Sequence, residues 1–147
     1  MYKKILIATD GSDLSAKAAT AAIELAKLAG AELVALTVVR NYVQDYFEGA
    51  LTLDPERTRQ IEAEWRAEAQ KLVDAVKAKA DAKGVLCAGQ VRQSALVAET
   101  LIDAARELNC DLIVMASHGR RGFKRVLLGS ETQHVLTHSH IPVLVLR

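Results

Sequence analysis

Five short apolar runs punctuate the chain, and none of them alternates with polar residues. They are Ile5–Ala8, Leu33–Val39, Val85–Val91, Leu112–Met115 and Val143–Leu146. A strand with one wet face reads apolar, polar, apolar; a strand apolar at successive positions is buried on both faces, as in a parallel sheet. The third run is the least regular, because Gly89 interrupts it. Pro142 heads the last run, where a proline removes no ladder donor.

Helical spacing fills the intervals. From Leu14 to Ala29, apolar residues fall at Leu14, Ala18, Ala21, Leu25 and Leu28, with Ser12 as a cap and Gly30 as a stop. Asp54-Pro55 reads as a cap followed by proline at the first helical position. The helix they open is predicted to run to about Lys83 before Gly84, with Ile61, Trp65, Leu72 and Val76 inward, so Trp65 is assigned to the core. Leu96–Leu108 is a further helix, with Leu96, Ile102, Ala105 and Leu108 inward. Ser130-Glu131-Thr132-Gln133 matches a capping box, which predicts a helix start capped by Ser130. Asp13 suits the first turn of its helix, where the dipole favours a carboxylate.

Buried strands alternating with helices predict an α/β fold with a parallel sheet covered on both faces. Right-handed crossovers leave few topologies, and the expectation is a flavodoxin-like, Rossmann-like open sandwich with five parallel strands in the order 3-2-1-4-5. The 147 residues carry no linker, repeat or low-complexity tract and are read as one domain, 1–147. Lys plus Arg is 19 against 18 Asp plus Glu, which argues against a general nucleic-acid or membrane-surface binder. No apolar stretch approaches the ~20 residues of a membrane span. The N-terminus leads into the first run without the pattern of a secretory leader, so a cytoplasmic location is expected. Cys87 and Cys110, both in apolar surroundings, are expected to be reduced and buried.

In a sheet wound this way, ligands bind beyond the carboxyl ends of the strands where the winding reverses, here between strands 1 and 4. The loops opening there are Thr9-Asp10-Gly11-Ser12 and Ala116–Gln133. Gly129-Ser130 before a helix offers unpaired N–H groups and a partial positive charge, and Gly119 offers a second close approach. Arg120, Arg121, Lys124 and Arg125 add charge, and His118 is a possible donor to phosphate. The set suits a chain of phosphates; the other reading of the same residues is an ordinary crossover loop with a solvated basic face. Neither the Walker A pattern nor G-x-G-x-x-G can be written here. Asp10 either bonds a ribose hydroxyl or a metal-bound water, or caps the turn at Gly11-Ser12.

These residues carry a resemblance. The chain resembles a single-domain universal stress protein of the nucleotide-binding branch, whose loop reads G-x2-G-x9-G-[ST]. The match runs from Ala116 through Gly119 to Gly129-Ser130, with Ala116 in place of the first glycine. Ile5–Ser12, Asp111–Met115 and Pro142–Val145 match as well, so the resemblance spans the length. It implies ATP, or AMP or ADP, in the crevice, with Mg2+ or Mn2+ on the phosphates. By position it puts Ala8, Thr9, Asp10, the backbone of Val38, Met115 and Ala116 about the nucleoside, and Gly119, Gly129, Ser130 and Glu131 at the phosphates. The alanine methyl is expected to weaken binding or leave it unchanged. Members commonly dimerise through the last strand, and an exposed apolar edge at Val143, Leu144, Val145 and Leu146 points the same way.

Three functions remain open on sequence: an ATP-binding regulator of stress adaptation, a slow ATPase or self-phosphorylating protein, and a nucleotide-free dimeric interaction module. No nucleophile with a partner base stands out, although Ser117, Ser130 and Thr132 are hydroxyls in the loop. His134, His138 and His140 form H-x3-H-x-H, either a weak metal pattern or a solvated helix end. The stretch Tyr42–Leu53, with Tyr46 and Phe47, is long for a loop and is read either as a cover for the crevice or partner contact, or as variable surface.

Overall fold

The computed structural model describes residues 1–42, 54–119 and 128–147. Arg120, Arg121, Lys124, Arg125, Tyr46 and Phe47 lie outside the described residues. The elements run β1 (Lys4–Ala8), α1 (Asp13–Ala29), β2 (Glu32–Val39), α2 (Pro55–Ala82), β3 (Cys87–Gln93), α3 (Val97–Glu107), β4 (Leu112–Ala116), α4 (Ser130–His138) and β5 (Val143–Leu146). All strand pairs are parallel, as the apolar runs predict, and the order β3-β2-β1-β4-β5 is the one expected of a flavodoxin-like winding.

Both faces of the three central strands are dry, whereas β3 and β5, also expected to be buried, end the sheet and are largely half-buried or exposed. Ile5 and Ile7 point with Leu33 and Ala35 toward α1 and α2; Leu6 points with Val34 and Leu36 toward α3 and α4. Ile5, Leu6 and Ile7 are fully buried. Each contributes about 1.5–3 kcal/mol of burial, so the run without alternation reports a strand covered from both sides. Cys87 and Cys110 are free thiols in this core, and burial pushes the Cys110 thiol up to about 11. Among the described residues, no helix is long and apolar enough to cross a membrane.

Several local expectations shift. The buried stripe of α1 is Ser15, Ala18, Ala19, Ala22, Ile23 and Ala26, about one position round from the predicted one. Leu28 is exposed, and Leu14, Ala21 and Leu25 are only half-buried. Small residues let this helix sit close to the sheet, and the leucines flank the contact. Trp65 is half-buried rather than core. It lies one turn before Ala69, the first residue of the buried stripe Ala69, Val73, Val76 and Ala80. At about 1.5 Å per residue, the 28-residue helix is longer than any strand beneath it, so its first turns overhang the sheet.

β3 starts two residues late because the Val85 N–H closes α2, donating to Ala80 O at 2.9 Å. Gly89 lies within it because a Cβ there would strike Val73 of α2. α3 begins at Val97, and Leu96, expected inward, is an exposed cap residue. α4 starts at Ser130 as predicted, but its cap is Gly129, so the capping box is not formed.

Asp111 pins the start of β1 to the start of β4. Its carboxylate accepts from Lys3 N at 2.8 Å and Lys4 N at 3.1 Å, and its own N–H donates to Lys4 O at 2.8 Å. Burial pushes this carboxyl up, but the amides of Lys3, Lys4 and Asp111 itself, with the N-terminal charge, together outweigh it and hold the group below its ordinary 3.8. A carboxyl lowered by folding stabilises the fold above its unfolded value and loses that contribution as pH falls through the folded value. Asp111→Ala is therefore expected to lower the thermal midpoint at neutral pH, with the deficit shrinking below pH 3.8; paired melts across that range check it.

Candidate functional site

The central strand stops early. Pairing of β1 with β2 ends at Ala8 and Leu36, with one further bond from Thr9 N to Leu36 O at 3.0 Å. β2 continues to Val39, paired only with β3 on its other side. Backbone groups alternate sides along a strand. Leu36 turns its carbonyl toward β1, so Val38 turns its N–H and C=O the same way, past the end of that strand. A cleft of about 910 Å³ opens over this step. Ala8, Thr9, Asp10, Val38, Met115, Ala116, His118, Gly119, Gly129, Ser130 and Glu131 all line it. Arg120 lies outside the described residues.

Hydroxyls fix the near wall. Thr37 Oγ1 donates to Thr9 O at 2.9 Å, and Ser15 Oγ donates to Ser12 O at 3.0 Å. Ser12 Oγ accepts from Ser15 N at 3.1 Å and caps α1. Asp10 Oδ1 accepts from Ser12 N at 2.9 Å, and Gly11 between them has φ +81. The turn-capping reading of Asp10 is thus realised, and the same side chain also faces the cleft. It lies against Gly119, where an added Cβ would collide with its Oδ2. The two loops therefore meet at Asp10 and Gly119.

The far wall is drawn in by three bonds. Gly129 N donates to Ser117 O at 2.7 Å, Thr132 Oγ1 donates to Ala116 O at 3.0 Å, and Ser117 N donates to Leu146 O at 2.7 Å. A Cβ on Gly129 would lie 3.2 Å from Ser117 O and 3.3 Å from His118 Cα, so even an alanine requires its neighbours to give by a few tenths of an ångström, and a branched side chain requires more. The first intrahelical bond of α4 is Gln133 N to Gly129 O at 2.9 Å, which leaves the amides of Ser130, Glu131 and Thr132 in the helix's first turn above the cleft. Ser117 is buried, and its hydroxyl lies 3.1 Å from His118 Nδ1. Ala116 closes β4 with strand geometry; among the described residues only Asn109 is a non-glycine with positive φ. Its position therefore does not need a glycine's backbone.

Glu131 does more than offer an amide. One carboxylate oxygen lies 3.2 Å from Arg40 Nη2, and the other accepts from Ala98 N at 3.0 Å. Sequence reasoning missed Arg40, although it stands two residues beyond Val38 on the same strand end. It also missed the lining from α2 and α3, which includes Trp65, Leu72, Val97 and Leu101. The Trp65 overhang was the available signal: its ring meets Tyr42 edge to face at 5.6 Å. His134 and His138 stack at 4.1 Å, and His134 Nε2 lies 3.1 Å from Glu99 Oε1. Among the described residues, no three His, Cys, Asp or Glu side chains converge as a metal cage.

Comparison with known proteins matches this geometry to a family. The universal stress protein family profile matches residues 1–147. The universal stress protein YxiE of Bacillus subtilis is 37% identical over 149 residues, covering the whole of both chains. The structure of universal stress protein UspA from Lactobacillus plantarum superposes with a TM-score of 0.86 at 26% identity, covering 99% of this chain and 98% of that one. A universal stress protein solved in complex with cAMP superposes with a TM-score of 0.70 at 24% identity, covering 99% and 97%; at that identity the likeness is one of fold. By its sequence over the full length, and with the five-stranded fold in agreement, the chain belongs to the universal stress protein family.

Proposed function

We propose that this protein is a cytoplasmic adenine-nucleotide-binding regulator of stress adaptation, with ATP as its ligand. One observation carries the reading. The first-turn amides of α4, the close approaches at Gly119 and Gly129, and the edge of β2 that runs past the end of β1 at Val38 all open into one cleft. A helix N-terminus and close backbone suit phosphates. A strand edge offering one N–H and one C=O suits the edge of a base, and Met115, Leu36 and Leu101 supply apolar walls for its faces. Asp10 lines the same cleft, and its carboxylate would suit a ribose hydroxyl or a phosphate-bound cation. A relative of the same fold holds cAMP, which shares the adenine nucleoside.

The cation fits the same scheme. With no cage of three ligating side chains among the described residues, Mg2+ or Mn2+ would be held by the phosphates, with Asp10 at hand. The cation supplies charge neutralisation; Ser130 and the α4 amides orient the phosphates, and His118, held by Ser117, offers a ring nitrogen to them.

Identification of nucleotide released from the denatured protein tests the reading directly. The expected result is an adenine nucleotide in near-equal amount to chain, absent from Gly129→Val, whose side chain would wedge α4 from Ser117 O. Recovery of none, with no binding on titration of Mg-ATP, overturns it. The same titration read after long incubation reports whether ATP stays intact.

Asp10→Asn separates the two roles of that residue. The amide oxygen still accepts from Ser12 N, so the turn and the fold should hold. Loss of the charge should weaken Mg-ATP binding about tenfold, the loss of one charge-assisted contact. Calorimetry with and without magnesium measures it.

The proposal includes a homodimer through β5. That strand ends the sheet, and Leu144 is 41% exposed on it. Pairing with a second copy would cover this edge. Leu144→Glu should convert the sedimenting species from dimer to monomer; unchanged sedimentation of a monomeric wild type would remove this part.

A further inference from the structure

α3 lacks a cap of its own. Its cap residue is Leu96, which has no side chain able to accept a hydrogen bond, and its first turn starts at the cleft with Val97. The acceptor for the second amide of its first turn, Ala98 N, comes from another helix: Glu131 Oε2 at 3.0 Å. The other oxygen of the same carboxylate meets Arg40 Nη2 at 3.2 Å, just beyond the strand end that carries Val38. Glu131 is also the second residue of α4, so its own N–H belongs to the turn that faces the cleft. One residue thus offers its amide to the cleft, its first oxygen to the end of β2 and its second oxygen to the start of α3. A second contact between the same two helices lies beside it, with His134 Nε2 3.1 Å from Glu99 Oε1.

We propose that Glu131 is a positioning residue that caps α3 from α4 and thereby couples occupancy of the cleft to the first turn of α3. This rests on the nucleotide reading given above. A phosphate on the first turn of α4 fixes the Glu131 backbone. A fixed backbone lets its carboxylate leave Ala98 less often, so the bond opens more rarely. By linkage, holding α3 in its capped form strengthens binding at α4 by the same factor. Leu96, exposed beside this turn, is the apolar side chain whose surroundings change with it.

The charge makes the idea sharp. A carboxylate beside a phosphate site repels the ligand, so if Glu131 were only a nearby charge, Glu131→Gln would tighten Mg-ATP binding. As a positioning residue, its loss weakens binding, most in Glu131→Ala and less in Glu131→Gln, which keeps one acceptor oxygen.

Residue-resolved amide exchange on the full chain, with and without Mg-ATP, tests it. In the wild type, ATP should slow exchange at Ser130–Gln133 and also at Ala98, the latter at least about fivefold. In Glu131→Ala, protection at Ser130–Gln133 should persist at higher ATP while the response of Ala98 disappears. Protection at Ser130–Gln133 with none at Ala98 in the wild type overturns the coupling and leaves the nucleotide reading standing. An Ala98 response that survives in Glu131→Ala, or tighter binding in Glu131→Gln, also overturns it. Protection nowhere removes the nucleotide reading, and the coupling with it. The wild-type comparison decides the matter even if the alanine variant does not fold.

Discussion

The step at the end of β1 governs what this molecule can do. Its last ladder bond runs from Thr9 N to Leu36 O, and β2 continues three residues further. Backbone groups beyond the last ladder bond, at half-buried Val38, must be met by something. Helices close in from both faces of the sheet, α4 on one side and the overhang of α2 on the other, but neither supplies a strand to the exposed edge of β2. The depth, the polarity and the position of the cleft all follow from that difference in strand length.

How tightly the surrounding loops are held follows from the same step. The turn after β1 is built from side chains that serve the backbone: Asp10 receives Ser12 N, Ser12 receives Ser15 N, and Thr37 ties Thr9 to β2. The start of α4 is drawn onto the end of β4 by Gly129 and Thr132. Close contact between Asp10 and Gly119 joins the two sides. A mostly apolar hollow with a few placed polar groups is the usual architecture for holding a small polar ligand.

Much of this was legible in the sequence, and the reasons differ by element. The doubly covered parallel sheet followed from runs apolar at successive positions such as Ile5-Leu6-Ile7, and its strand order from right-handed winding in the flavodoxin-like manner. The cleft residues of the two loops followed from topology and from the glycines, because both loops leave the ends of such strands, whereas Ala8, Val38 and Met115 came from the family resemblance. What failed was local. The capping box at Ser130 was not formed, because a glycine one residue earlier takes the cap and lets α4 approach Ser117. The α1 stripe was misread by choosing leucines over alanines, when close packing favoured the smaller side chains. Trp65 fitted the periodicity yet lay beyond the sheet, and periodicity carries no information about how far a helix outruns its strands. Arg40 and the bridging carboxylate of Glu131 depend on contacts 91 residues apart, which no short window contains.

Chain order imposes a timetable on this architecture. β1 is made first but completes its pairing with β4, and Asp111 reaches the amides of Lys3 and Lys4 across 108 and 107 residues. Until that late segment arrives, β1 can pair with β2 alone, and its other edge, lined by some of the most buried side chains in the molecule, stays open. Closing so long a loop is slow, and an open apolar edge invites pairing with other chains in the interval. The strand that makes the cleft possible is therefore also the one most in need of protection during synthesis.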